Sequence, residues 1–274
     1  MRIVNLVENT EGDSGCRAEH GLCFYIETKR HKILMDTGQT DLLLENAKKL
    51  SVDLSGVDTV ILSHGHYDHS GGIVPFSGIN NHAKIYVKKD AFGDYYSMSH
   101  GPEPKFIGID SGINELPGLC LIDGTVEIDE ELTVFAGIGK NKPWPLTNSL
   151  LLKKEAGEMT SDDFTHEQCL RIKQDDKTYL FSGCAHHGIL NVLDRYQEIY
   201  GCNPDYVISG MHTMRKTGYT EDDISYIKKT AHEMAKTDIK FYTCHCTGVE
   251  PFEMMQEIMG EQIHYVHCGD EINI

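Results

Sequence analysis

The sequence contains little positive charge. Its 274 residues include 25 lysines and arginines against 42 aspartates and glutamates, which gives a formal net charge of -17. Proteins that bind nucleic acid need basic surfaces to contact the phosphate backbone, whereas the paired lysines here are scattered, as is typical of solvated faces. The composition therefore argues against nucleic acid as a partner.

Long apolar runs are also missing. The longest, such as TVIL at 59–62 and SLLL at 149–152, are far shorter than the roughly 20 residues that a membrane-spanning helix requires. The N-terminal segment MRIVNLVENTEGDSG becomes polar and acidic too early for a signal peptide. We therefore expect a cytoplasmic protein without a membrane partner.

The cysteines lack a regular spacing. They number nine, and only Cys244 and Cys246 form a close pair. Because disulfide frameworks belong to short secreted chains, reduced and buried thiols are expected here. For Cys244 and Cys246, two packed thiols are the expectation and a metal-binding pair is the alternative.

Histidine, by contrast, is abundant, with 15 residues. Apolar runs alternate with helical patterns, which predicts an α/β chain, and His64, His186, His212 and His245 each stand where a predicted strand ends. The ends of strands carry the chemistry in α/β folds. Length predicts a single domain over 1–274, and the glycine- and proline-rich region 91–148 is predicted to form an excursion or lid.

One short stretch, SHGHYDHSGG at 63–72, concentrates metal-binding side chains. In an extended segment His64, His66 and Asp68 project to the same side, while a turn releases His69 toward a neighbouring position. A mixture of imidazole and carboxylate favours a borderline transition metal such as zinc or iron. Four ligands in six residues exceed what one tetrahedral ion with an open position takes from one loop, so two adjacent ions are expected.

This stretch resembles the HxHxDH signature of the metallo-β-lactamase superfamily. With VENTEG, EHGLCFYIE, DTGQTDLLLENA, SGCAHHGI and HCTG, the chain is similar to the branch labelled 7,8-dihydropterin-6-yl-methyl-4-(β-D-ribofuranosyl)aminobenzene 5'-phosphate synthase-like. The resemblance covers nearly the whole chain. It implies an α/β (α+β) fold, a four-layer αββα sandwich with the site in a groove along one edge.

The resemblance also implies a dinuclear zinc centre, with iron or manganese as alternative metals. His64 and His66 would hold the first ion, and Asp68 and His69 would serve the second ion together with His245. Asp68 would in addition orient the attacking water or shuttle its proton.

The middle of the chain departs from the family's commonest pattern, which has a histidine before a hairpin and a bridging aspartate after it. Here His166 stands before the hairpin and Cys184 falls near the aspartate position. We assign His186 as the replacement ligand rather than His166. Cys184 is either a ligand or a packed thiol, so the bridging ligand and the number of ions stay open.

Other residues are assigned to the surroundings of the metals. Asp36 is expected to orient a ligating histidine, and His20 and His212 are candidates for supporting or substrate contacts. His187 is expected to face away from its neighbour His186.

The expected reaction is hydrolysis of an ester, lactone, amide, thioester or phosphodiester of a small molecule by metal-bound hydroxide. A noncatalytic metal or ligand sensor and an iron-dependent redox protein are the alternatives. Substrate-binding residues stay unassigned, and the oligomeric state is open, a homo-oligomer included. Suggested substrate contacts are Tyr95, Tyr96, His100, Phe106, Trp144, Lys140, Lys142 and Arg215.

Overall fold

A computed structural model describes residues 1–99 and 101–274 of the chain, so His100 lies outside the described residues. The strands of the first half are β1 (Arg2–Val7), β2 (Cys23–Glu27), β3 (Lys32–Met35), β4 (Thr59–Ile61), β5 (Lys84–Lys88), β6 (Asp94–Ser97), β7 (Lys105–Phe106), β8 (Leu119–Ile122), β9 (Val126–Glu127) and β10 (Leu132–Phe135). Those of the second half are β11 (Leu151–Glu155), β12 (Glu158–Ser161), β13 (Cys169–Gln174), β14 (Lys177–Ser182), β15 (Tyr206–Ser209), β16 (Lys240–Thr243), β17 (Ile263–Tyr265) and β18 (Glu271–Asn273). The helices are α1 (Leu42–Lys49), α2 (Tyr67–Ser70), α3 (Ile73–Ser77), α4 (Ile189–Tyr200), α5 (Glu221–Met234) and α6 (Val249–Met259).

Two seven-stranded mixed sheets form the centre of the molecule. The first has the order β18-β1-β2-β3-β4-β5-β8, and the second has the order β17-β16-β15-β14-β13-β10-β9. A smaller sheet of order β12-β11-β6-β7 stands beside them.

Alternation along the strands explains why these sheets stack. In β2, Phe24 and Ile26 join the core between the two large sheets, while Cys23 and Tyr25 join the core on the opposite face. Successive side chains of a strand point to opposite faces. Because both sets are apolar, each sheet must be covered on both sides.

Helices supply the outer covers. Leu43 of α1 and Phe76 of α3 pack in the outer core of the first sheet. Val192 of α4, Ile227 of α5 and Met255 of α6 pack in the outer core of the second sheet. The order helix, sheet, sheet, helix is the predicted four-layer αββα sandwich.

The segment 91–148 is distributed over all three sheets. Strand β8 pairs with β5 in the first large sheet, and β9 and β10 extend the second. Only β6 and β7 lie in the small sheet, where β6 pairs with β11. The small sheet is therefore built from parts of this segment together with β11 and β12, and the single domain and its excursion stay a prediction.

Parallel pairing brings several strand ends to one edge. In the second sheet Ser182, Ser209 and Thr243 are aligned across β14, β15 and β16. In the first sheet β3 and β4 are parallel, with Met35 opposite Ile61. The loops that follow these strands consequently open together at the carboxyl edge. Within the described residues, none of the helices is long and apolar enough to cross a membrane.

Candidate metal centre

Three imidazoles converge at this edge, and we call them the first cluster: His64, His66 and His186. His64 Nε2 lies 3.0 Å from His66 Nδ1 and 3.3 Å from His186 Nε2. His64 and His66 follow β4 of one sheet and His186 follows β14 of the other, and all three are buried. The structure thus brings the assigned His186 to the two histidines of the motif.

The hydrogen bonds behind His64 fix its tautomer. Ser63 Oγ lies 2.7 Å from Asp36 Oδ2 and 2.8 Å from His64 Nδ1. A carboxylate only accepts, so the single hydroxyl proton goes to Asp36 and His64 Nδ1–H donates to Ser63. Burial, followed by the neighbouring imidazoles, holds the pKa of His64 well below its usual range. The ring is therefore neutral, and a lone pair on Nε2 faces the first cluster.

The same logic applies to His186. Asn148 Nδ2 donates to the His186 carbonyl at 2.7 Å, which turns Asn148 Oδ1 toward His186 Nδ1 at 3.3 Å. Nδ1 then carries the proton and Nε2 the lone pair, an assignment that rests on this network. Burial lowers the pKa of His186 well below its usual range. Two neutral nitrogens with facing lone pairs at 3.3 Å repel each other, so a cation between them fits this geometry.

A second cluster consists of Asp68, His69 and His245. Asp68 Oδ2 lies 3.7 Å from His69 Nε2 and 3.5 Å from His245 Nε2, and the two imidazole nitrogens are 3.2 Å apart. Although burial raises it, the surrounding histidines hold the pKa of Asp68 well below its usual range. An ionised carboxylate and two imidazoles form a mixed ligand set for a divalent cation.

Oxygen atoms again stand behind the histidines of the second cluster. Asp36 Oδ2 lies 2.7 Å from His69 Nδ1, on the side of the ring opposite the cluster. Asn9 Oδ1 accepts from Gly21 N–H at 3.2 Å and lies 2.9 Å from His245 Nδ1. Both rings therefore turn Nε2 toward Asp68.

The protonation of His69 depends on whether a metal is bound. Although burial lowers it, the carboxylates of Asp36 and Asp68 raise the pKa of His69 to about 9. In the metal-free chain the proton on Nε2 thus occupies the place that a cation would take. Metal binding at such a site releases protons.

Two thiols accompany the clusters. Cys184 Sγ lies 3.2 Å from His69 Nε2, and Cys246 Sγ accepts from the His212 backbone N–H at 3.2 Å. Residues 245–247 form a 3-10 turn and His245 has φ 52°, so the chain is not an extended strand between Cys244 and Cys246. As a result Cys244 enters the core between the sheets, whereas Cys246 turns toward the centre.

His20 and His212 lie at the margin of the clusters. His20 Nε2 is 3.3 Å from Asp68 Oδ2, and 42% of its side chain is exposed. The His212 ring lies 4.2 Å from the His186 ring, centroid to centroid, and its Nδ1 has no hydrogen-bond partner among the described residues. Both residues face the cavity above the clusters.

His166 and His187 serve other contacts. His166 Nδ1 accepts from Gly65 N–H at 2.9 Å and its Nε2 lies 3.1 Å from Asp162 Oδ2. His187 turns away from His186, as predicted, because its Nδ1 contacts Glu167 Oε2 at 2.7 Å. Asp162 also lies 3.9 Å from His66 Nε2.

Sequence reasoning missed the residues that hold the histidines in place. They are Glu8, Asn9, Ser63, Asn148, Asp162 and Glu167. Glu8 Oε1 accepts from the backbone N–H of His245 at 2.6 Å, and Glu167 Oε1 accepts from that of His186 at 2.6 Å. For Glu8 and Asn9 a signal was available, since VENTEG carried part of the resemblance. Asn148 reaches the site from a short 3-10 helix and Glu167 from a loop, and no local pattern indicates the course of either segment.

A cavity of about 420 Å³ opens over both clusters. Its lining residues are His20, His66, Tyr67, Asp68, Ser97, Met98, Ser99, Ile107, Thr147, Leu150, Leu151, Cys184, His186, His212, Met214, Arg215, Lys216, Thr217, His245 and Cys246. Cavities of this size accept small molecules.

Most aromatic residues suggested for the cavity pack elsewhere. The Tyr95 ring lies 4.0 Å from the His166 ring at a tilt of 44°, Tyr96 pairs with Phe106 at 5.5 Å, and Trp144 packs 5.5 Å from Phe164, all measured between ring centroids. Tyr67 is the aromatic residue that lines the cavity, because α2 places it one residue after His66.

Among the suggested cations, Arg215 lines the cavity. Lys140 instead lies over the Trp144 ring at 3.8 Å, and Lys142 lies 3.9 Å from Asp194. Lys216, which sequence reasoning did not single out, joins Arg215 in the lining.

Known proteins are similar to this chain over nearly its full length. A relative from Methanocaldococcus jannaschii, named 7,8-dihydropterin-6-methyl-4-(beta-D-ribofuranosyl)-aminobenzene-5'-phosphate synthase, is 28% identical and the alignment covers 98% of this chain and 95% of the relative. An uncharacterized protein of the same organism is also 28% identical, with 94% of each chain covered. The crystal structure of a metal-dependent hydrolase of the beta-lactamase superfamily superposes with a TM-score of 0.82 at 25% identity, covering 100% of this chain and 99% of that one.

The family to which this chain belongs is shown by a sequence model that matches most of the chain. Residues 16–229 match the sequence model of the metallo-beta-lactamase superfamily. The match includes the HxHxDH motif, and the named synthase confirms the resemblance to that branch. The chain therefore belongs to the metallo-β-lactamase superfamily.

Proposed function

We propose that this protein is a metal-dependent hydrolase that holds two divalent cations, expected to be zinc, and acts on a small molecule. The observation that carries the proposal is the convergence of imidazole nitrogens and one carboxylate in two adjacent clusters beneath an open cavity. The metal-dependent hydrolase of the same superfamily, similar over the full length, supports it.

The two clusters divide the cations between them. His64, His66 and His186 would hold one cation, and Asp68, His69 and His245 would hold the other. When bound, such a pair of cations supplies Lewis acidity and lowers the pKa of water toward neutrality.

Asp68 and His20 form the polar pair at the cavity side of the second cluster. Asp68 is ionised, and its Oδ2 lies 3.3 Å from His20 Nε2. The carboxylate can therefore orient a water molecule and accept its proton. Burial lowers the pKa of the His20 imidazole to about 4, so the ring stays neutral and acts as a hydrogen-bond partner of Asp68.

The cavity determines what can approach. Apolar side chains such as Ile107, Leu150 and Leu151 line one part of it, whereas Lys216 brings positive charge to another and Arg215, which lines that part too, is paired with Asp223 at 2.6 Å. This combination suits a small substrate with an apolar body and an anionic group. Ester, lactone, amide, thioester and phosphodiester bonds are the candidate targets.

A second candidate is a synthase reaction on a phosphorylated substrate. The name of the 28% identical relative and the position of Lys216 in the cavity favour it. The noncatalytic sensor is less well supported, because an open cavity adjoins both clusters.

The test is metal content combined with turnover. Protein purified without added metal is expected to contain close to two zinc ions per chain and to hydrolyse bis-p-nitrophenyl phosphate or p-nitrophenyl acetate. His66→Ala should lower turnover by more than the roughly 10- to 100-fold that loss of a supporting residue costs. His82→Ala, at an exposed histidine, is the control and should match the unmodified protein. One tightly bound ion, or iron, without His66-dependent turnover would favour the sensor or the redox protein instead.

A further inference from the structure

A buried thiol lies between the two clusters. Cys184 follows β14, is 3% exposed, and its Sγ is 3.2 Å from His69 Nε2. The ligand atoms of Cys184, His64 and His69 all lie within 4.8 Å of one another. The same limit holds for the set of Cys184, His245 and Cys246. The sulfur of Cys184 is thus close to atoms of both clusters.

The backbone next to Cys184 lies unusually close to neighbouring side chains. A Cβ on Gly183 would lie 2.2 Å from Ser63 Oγ, and a Cβ on Gly210 would lie 2.5 Å from Cys246 Sγ. Ala185 has φ 49°, in the left-handed region that non-glycine residues rarely adopt. These features draw the ends of β14 and β15 toward the loop of His64 and direct Cys184 inward.

The ligands proposed so far neutralise only part of the positive charge of two cations, so a second anionic ligand would be stabilised there. Two divalent cations bring four positive charges, and among the six residues proposed as ligands Asp68 is the single carboxylate. A thiolate would add a second negative charge, and cysteine sulfur binds zinc at about 2.3 Å. A thiol coordinated to such a cation is deprotonated.

We propose that the thiolate of Cys184 is a ligand shared by the two cations, an inference that rests on the proposed function. On metal binding the S–H bond breaks, the proton leaves to solvent, and a sulfur lone pair forms the bond to the cation. No oxidation or reduction is involved. Cys246, which accepts from the His212 backbone, helps to position this region without being a ligand.

Cobalt(II) provides a readout that does not depend on activity, because sulfur bonded to cobalt gives an intense charge-transfer absorption in the near ultraviolet. The apoprotein, with exposed Cys202 replaced by serine, is titrated with cobalt(II) and its spectrum and metal content are recorded. Cys184→Ala, Cys184→Asp and Cys246→Ala are compared in this background, with circular dichroism to check folding.

The expected result is an intense absorption band with two cobalt ions bound, kept in Cys246→Ala and lost in both Cys184 variants. If the Cys184 variants do not fold, the band in Cys246→Ala alone supports the proposal, since Cys184 is then the remaining thiol at the clusters. Two bound cobalt ions without the band, or a band that depends on Cys246, would overturn the inference while leaving the proposed function intact. If no cobalt binds to the parent protein, the proposed function itself fails.

Discussion

Oxygen atoms behind the histidines decide which ring nitrogen faces the centre. Ser63 and Asn148 accept from Nδ1 of His64 and His186, and Asp36 and Asn9 contact Nδ1 of His69 and His245. In each case the other ring nitrogen, Nε2, faces the cluster. Partners of this kind fix the tautomer and ring orientation of metal-ligating histidines.

Asp36 is the most connected of these partners, and its replacement should weaken metal binding. Its carboxylate accepts from Ser63 N–H and Ser63 Oγ at 2.7 Å each and contacts His69 Nδ1 at 2.7 Å. Asp36→Asn replaces one acceptor oxygen by an NH2 group, so at least one of the three donors loses its partner. We expect metal affinity to fall about 10- to 100-fold, measured by competition with a chromogenic chelator.

The control for this change is Asp53→Asn, at a carboxylate distant from the clusters that accepts from Ser55. It should leave metal affinity unchanged. Unaltered affinity in Asp36→Asn, in a protein that folds normally, would contradict the orienting role.

The motif residues could be predicted because sequence neighbours share one loop, so spacing alone places His64, His66, Asp68 and His69 together. Their oxygen partners could not, with the exception of Asp36. Asn148 lies 38 positions from His186, and Asn9 lies 236 positions from His245. Contacts of that sequence separation depend on the packing of the two sheets and leave no local pattern.

At the scale of elements, a strong periodicity of apolar residues was sufficient to predict a strand or helix, and a weak periodicity was not. The alternation of apolar runs with helical patterns that the sequence shows corresponds to strands β1 to β5 and β13 to β16 and helices α1, α4, α5 and α6. Thr220 caps α5 in a complete capping box with Asp223. Strands β17 and β18 are three residues long and were not predicted, since their register comes from neighbours such as β16 and β1.

One interaction between elements links the two large sheets at their other edge. His31, in the turn between β2 and β3, lies 2.9 Å from Asp58 Oδ1 through Nδ1 and 2.7 Å from Asp129 Oδ2 through Nε2. Asp58 precedes β4 of the first sheet, and Asp129 precedes β10 of the second. Two carboxylates that both accept require a doubly protonated ring.

The pairing of His31 should make stability depend on pH. Burial lowers the pKa of His31, but the hydrogen bonds to Asp58 and Asp129 outweigh it, so the net shift is upward. A raised pKa stabilises the fold fully below the unfolded value of about 6.5, and this contribution is lost as pH rises through the folded pKa. His31→Gln should therefore lower the free energy of unfolding by about 1 kcal/mol at pH 6 and by less at pH 9.

Urea unfolding at the two pH values measures this difference. His82→Gln, at an exposed histidine, should change the free energy of unfolding by the same amount at pH 6 and pH 9. A His31→Gln effect that is equal at pH 6 and pH 9, or larger at pH 9, would show that the ring does not act through its charge.

At the scale of the whole molecule, the candidate centre joins the two halves of the chain. His64, His66, Asp68 and His69 follow β4 of the first sheet, while His186 and His245 follow β14 and β16 of the second. Each cluster therefore contains ligands from both sheets. A cation bound in either cluster would connect the sheets at the edge opposite His31.

Removing the metal should consequently destabilise the entire fold. A ligand that binds only the folded state stabilises it by about 2.7 kcal/mol at a hundredfold excess over its Kd. For a chain larger than 250 residues, each kcal/mol shifts the Tm by at most about 2–4 °C, so chelation should lower the Tm by several degrees. Calorimetry of zinc-loaded and chelator-treated protein measures the shift, and adding back zinc should reverse it.

The control is the double variant His64→Ala/His245→Ala, which lacks one ligand of each cluster. Its zinc-loaded and chelator-treated forms should give the same Tm. If the unmodified protein melts at one temperature with and without zinc, metal does not hold the sheets together.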